Sequence, residues 1–174
     1  MKKGFTLIEI MTSVSVFAII MVISMGAILG IFEANRKSRT LKAIMNNLNL
    51  AVESMSKEMR FGTNYHCGES GSLTVPQNCP GGDTLVSFLS SEGRQITYRI
   101  NNQTLEKKVD SASYSAITAP EVVIDNLTFY TLGAGTGNTL QPKVVIKVQG
   151  HSGSGKERSN FTLQTLVSQR TLDI

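Results

Sequence analysis

Residues 10–32 carry no charged side chain over 23 consecutive positions. At ~1.5 Å per residue a helix of that run extends about 35 Å, enough to cross a hydrocarbon core of about 30 Å. A carboxylate, Glu9, stands directly before it. An ionised side chain held inside hydrocarbon costs roughly 2.5–3.5 kcal/mol even on insertion scales, so Glu9 calls for a counter-charge. The competing account leaves it at the membrane interface, where a helix N-terminus favours an anion.

The hexapeptide Gly4-Phe5-Thr6-Leu7-Ile8-Glu9, preceded by the basic leader Met1-Lys2-Lys3, resembles the cleavage and methylation motif of type IV prepilins and type II secretion pseudopilins. The resemblance implies that a prepilin peptidase cuts between Gly4 and Phe5 on the cytoplasmic face and methylates the new amino group of Phe5. It further implies that the apolar segment is retained, and that Glu9 pairs with the Phe5 terminus of a neighbouring subunit and sets axial register in a fibre. Other pilin or pseudopilin subunits, the peptidase, and indirectly an assembly ATPase and a platform membrane protein are the implied partners.

A chain of 174 residues holds one modest domain besides a membrane segment. The net charge of +4 falls to +2 once Lys2 and Lys3 are removed, 15 basic against 13 acidic side chains. So small an excess gives little support to a nucleic-acid surface. A secretory signal peptide is the main rival for the apolar run, with Ser24-Met25-Gly26 offering a small-x-small cut before Ala27. The run is longer than the 7–15 residues usual for such a signal. Arg36, Lys37, Arg39 and Lys42 follow the span, and the positive-inside rule taken alone would keep the remainder in the cytoplasm. Two considerations oppose that. Cys67 and Cys79, the two cysteines of the chain, lie in a polar stretch with Gly and Pro where a disulfide suits an oxidising compartment, free thiols being the alternative. The prepilin resemblance also implies a head outside, so the expected location is the inner membrane as a single-pass protein before assembly, then a pilus or pseudopilus fibre.

Beyond the span, Leu41, Ile44, Leu48, Ala51, Met55 and Met59 recur in steps of three or four, one face of a continuing amphipathic helix that Phe61-Gly62 would end. Gly26 and Gly30 make a GxxxG spacing, which fits either close helix contact or a loosened helix. From residue 83 the apolar period becomes two. Segments 85–89, 96–100, 104–109, 122–129, 144–148 and 161–167 read as about six strands, with Asn101-Asn102 as a hairpin turn and a bulge near Asp125-Asn126. The predicted class is α+β: a long N-terminal helix, transmembrane in its first half and amphipathic in its second, packed on an antiparallel β head of pilin-like form. The expected divisions are a leader at 1–4, an assembly helix at 5–32, an amphipathic helix at 33–61 and a β head at 62–174 with a Cys67–Cys79 loop. The head loosely resembles minor pseudopilins of the J type.

Chemistry-bearing patterns are sparse. Residues 150–156 mimic a phosphate-binding loop, but Glu157 stands where a Mg²⁺-ligating Ser or Thr belongs, and a strand follows where a helix is needed. His66 and His151 read as exposed loop residues without a nucleophile motif, and the four tyrosines as packing residues. Two cysteines are too few for a structural zinc site. No catalytic residue, metal ligand or cofactor is expected. The expected role is that of a structural subunit, with a secreted or membrane-anchored β-sheet binding module, an adhesin or a DNA-capturing minor pilin, as the alternative.

Overall fold

The computed structural model describes residues 4–135, 137, 140–153 and 158–170. Helix α1 (Leu7–Arg60) is followed by nine strands among these residues. The strands are β1 (Thr63–Cys67), β2 (Cys79–Asp83), β3 (Leu85–Leu89), β4 (Gln95–Asn101), β5 (Thr104–Val109), β6 (Ser115–Ala116), β7 (Val123–Leu132), β8 (Lys143–Ser152) and β9 (Ser159–Ser168). The chain divides into two compact units, residues 1–40 and 41–174.

In the first unit every described side chain is exposed, including Phe17, Ile19, Ile20, Val22 and Ile23. An all-round apolar helix in this state has buried none of the surface that would stabilise it in water, which is the composition of a membrane or assembly element. By length and composition α1 is able to cross a membrane.

In the second unit the helical stripe is buried as its spacing requires. Ile44, Leu48, Ala51, Val52, Met55 and Met59 enter one apolar core with strand residues from both sheets. The strands form not one sheet but two, both antiparallel: five strands in the order β1-β3-β4-β5-β6 and four in the order β2-β7-β8-β9. Val86, Phe88, Ile96, Tyr98 and Leu105 come inward from the first, and Leu127, Phe129, Val144, Ile146, Val148 and Val167 from the second. Each set follows the period of two that puts alternate side chains on one face.

The local signals act as their chemistry demands. Asn102 and Gln103, at φ 46° and 61°, make the tight turn between β4 and β5, one residue later than the Asn101-Asn102 pair, since Asn101 still pairs with Thr104. The register of β7 against β8 slips between Ile124 and Asn126, the bulge expected there. Helix α1 stops at Arg60, and Gly62 follows with the Phe88 ring so close that a Cβ would lie 2.5 Å from Cδ2. The glycine tract starting at residue 150 is not wholly a loop: Gly150, His151 and Ser152 belong to β8, while residues 154–157, and with them the last three residues of the phosphate-loop mimic, lie outside the described residues.

Candidate functional site

The first turn of α1 is built around Glu9. The backbone N–H and hydroxyl of Thr6 both donate to Glu9 Oε2 at 3.2 Å, and the Glu9 N–H donates back to Thr6 Oγ1 at 3.4 Å. This is a reciprocal capping box, Thr6 being the cap and Glu9 the third helical residue. It satisfies amide groups that a helix start leaves without partners, and it sets a negative charge at the positive end of the helix. The sequence carried the signal as Thr6-Leu7-Ile8-Glu9, a Ser/Thr-x-x-Glu pattern before an apolar run, and the motif-level interpretation of Glu9 passed over it. Among the described residues Oε1 of Glu9 has no partner, so half of the carboxylate remains open to a second donor. The hydroxyls of Thr12 and Ser13 donate to the Glu9 carbonyl at 3.0 and 2.7 Å, keeping the small polar side chains of this turn turned back on their own helix. Phe5, just before the cap, is 82% exposed.

Beyond the cap, Thr12, Ser13, Val16, Phe17 and Ile20 line a shallow concavity of about 420 Å³ on the apolar surface. Exposed apolar area on this scale marks contact with lipid or protein.

In the second unit, Cys67 and Cys79 are disulfide-bonded, with Cα atoms 5.6 Å apart. The bond joins β1 of the five-stranded sheet to β2 of the four-stranded one. His66 is not an exposed loop residue but lies buried in β1, its Nδ1 2.7 Å from the Val75 carbonyl, where it carries the N–H. His151, in β8, has Nδ1 2.8 Å from Asp125 Oδ2. Tyr65 and Tyr98 are buried on either side of Phe88, ring centroids 5.9 and 6.2 Å away, which makes them core. The Tyr98 hydroxyl donates to Glu58 Oε2 at 2.7 Å, and Lys107 Nζ reaches Glu58 Oε1 at 2.6 Å. Burial holds the Tyr98 phenol far above its ordinary value of about 10, and the hydrogen bond and charge of Glu58 push the same way. No group of three or more His, Cys, Asp or Glu side chains among the described residues is placed to hold a metal ion.

A membrane-capable apolar helix with a carboxylate at its capped start, joined in sequence to an α+β unit of two antiparallel sheets, defines a pilin-like architecture. Residues 1–25 match the family model of the prokaryotic N-terminal methylation motif, the type IV prepilin-like signature. No curated protein and no solved structure matches the chain. Motif and helix together fit a type IV pilin or pseudopilin, and imply membrane anchoring, processing by a prepilin peptidase and association with other pilin subunits.

Proposed function

We propose that the chain is a structural, non-catalytic subunit, of the minor class, in a type IV pilus or a type II secretion pseudopilus. The peptidase cuts between Gly4 and Phe5, and the methylated Phe5 ammonium so created becomes the cation that Glu9 lacks. The helix is drawn from lipid into a bundle of like helices, exchanging one apolar surrounding for another, while an assembly ATPase and a platform protein supply the work. The second unit is then displayed outside the cell membrane, in the compartment where Cys67 and Cys79 oxidise.

The observation that supports this best is the two-sided Glu9 carboxylate. One oxygen is engaged by its own Thr6. The other can take a cation from a second subunit without dismantling the helix cap. In a low-dielectric bundle a carboxylate without that cation is unfavourable by several kcal/mol, so a neighbour out of register is rejected.

Two substitutions separate the cap from the charge. Glu9→Gln keeps a capping-box acceptor, because glutamine serves at that position too, but removes the negative charge. Glu9→Val removes both. Both variants should insert and be cleaved, and both should be lost from sheared fibres. Wild-type incorporation of Glu9→Gln would reduce Glu9 to a helix cap and defeat the pairing mechanism. N-terminal sequencing of the mature protein sets this role against the binding-module alternative: N-methylated Phe5 is expected, whereas Ala27 would mark ordinary secretion.

A further inference from the structure

Sheet edges invite pairing with foreign strands, and proteins blunt them with brevity, Pro, irregularity, charge or cover. Among the described residues, three of the four sheet edges are blunted. The outer edge of β1 is occupied by its own loop, with Cys67 N–H donating to the Gln77 carbonyl at 3.2 Å and Gln77 N–H to the Tyr65 carbonyl at 2.9 Å. Strand β6 has two residues. Strand β2, Cys-Pro-Gly-Gly-Asp, is short and loses register against β7. The fourth edge, β9, shows none of these devices. It runs ten residues, Ser-Asn-Phe-Thr-Leu-Gln-Thr-Leu-Val-Ser, without a charge, a Pro or a Gly, and pairs with β8 in unbroken register from Ser168 to Ser159. Among the described residues no strand pairs with its other side; just past its end the Arg170 N–H donates to the Arg60 carbonyl at 2.9 Å, leaving the ten strand residues themselves uncovered by a strand.

The space beside that edge is shaped. Leu163 and Thr165 face inward, opposite the buried Val148 and Ile146. With Val52 of α1 they floor a groove of about 380 Å³, walled by Asn49, Glu53 and Ser56. A strand added to β9 would point alternate side chains into this groove. Glu53 is exposed and has no ion pair among the described residues, so the groove offers an apolar floor beside one carboxylate open to a donor.

The same carboxylate argues against a second copy as occupant. The groove lies at the middle of β9, so antiparallel self-pairing about that middle would bring two Glu53 side chains together. We propose that β9 is a docking edge that accepts, as a fifth strand of the four-stranded sheet, an extended segment of a different polypeptide. That segment carries an apolar residue and a Lys or Arg two positions apart on its inward face, the first over Val52 and Leu163, the second against Glu53. Main-chain hydrogen bonds supply affinity and the groove supplies selectivity. The surface is independent of the pilin role and stands whether or not the chain enters a fibre.

The test uses the full-length protein in detergent micelles and labelled ten-residue threonine-rich peptides, read by fluorescence anisotropy. One set carries Val-x-Lys at each inward register, a matched set Val-x-Glu. Two twins of the best binder are N-methylated on one or the other set of alternate residues. A Val-x-Lys peptide should bind, and one methylated twin should lose binding while the other keeps it, because only one set of amides faces β9. Glu53→Gln should weaken binding about three- to fivefold, and Glu53→Lys should turn the preference to Val-x-Glu. Silence from every peptide, equal binding by both twins, or an unchanged preference in Glu53→Lys would each overturn the proposal. So would concentration-dependent dimerisation, lost on Leu166→Asp substitution in β9, because that would assign the edge to a second copy.

Discussion

At the scale of single residues, positions at which geometry leaves no alternative are few and specific. Under the proposed processing Gly4 is one by chemistry: a cut between Gly4 and Phe5 would require a peptidase pocket to accept the residue before the bond. Gly4→Ala should slow or block removal of the leader, visible as a retained small mass on a gel, and complete wild-type processing would count against the peptidase assignment. Gly150 is another by packing. It sits in β8 opposite Phe161, where a Cβ would lie 2.7 Å from the ring Cζ and also meet the Val123 carbonyl from the neighbouring strand. Gly150→Ala should therefore cost about 1–3 kcal/mol by overpacking and lower the melting temperature by several degrees. An unchanged melt would mean that the Phe161 ring and the Val123 carbonyl both give way freely. Glu9 was legible as an acid that needs a reason; its partner within the chain, Thr6, was equally present in the sequence as a capping pattern. Two explanations for one residue can both hold, here because a carboxylate has two oxygens.

At the scale of elements, what could be read was whatever depends on neighbours in sequence. The helical stripe from Ile44 to Met59, the β4–β5 turn and the slip in β7 are local, and they stand within one residue of where the periodicity and turn residues put them. What could not be read depends on distant partners. Strand β1 is buried on both faces at Tyr65, His66 and Cys67, because the segment after it folds back over its outer side, so it shows no alternation. Strand β2 has almost no intrinsic strand preference, yet it pairs with β7. The split into two sheets is likewise a matter of which strands meet. The Tyr98–Glu58–Lys107 contact, linking β4 and β5 to α1, belongs to the same class, and it has a measurable signature. Because the folded-state value of Tyr98 is raised, its contribution to stability is whole below the unfolded value of about 10 and declines as pH rises above it. Chemical denaturation between about pH 9 and 11 should show wild-type stability falling more steeply than that of Tyr98→Phe, by up to ~1.4 kcal/mol per pH unit. Parallel slopes would remove Tyr98 from the account.

At the scale of the molecule, the two compact units differ in what could be known of them beforehand. The character of the first was set by composition: an uncharged run with one acid at its head leaves a narrow choice of surroundings. The second needed tertiary structure, apart from its class. Its one covalent device closes a loop of 12 residues' separation, for which loop-closure entropy suggests about 2–4 kcal/mol. The paired replacement Cys67→Ser with Cys79→Ser should lower the unfolding free energy of the unit by that amount, read from denaturant curves. A loss under ~1 kcal/mol would assign the bond little weight in the folded state. Its placement matters as much as its strength. The sulfurs tie an end strand of one sheet to an end strand of the other, and the rivet can be set only where an acceptor takes electrons from the two thiols. Hardening of the second unit is thereby tied to an oxidising step, and waits on an electron acceptor however early its strands have paired.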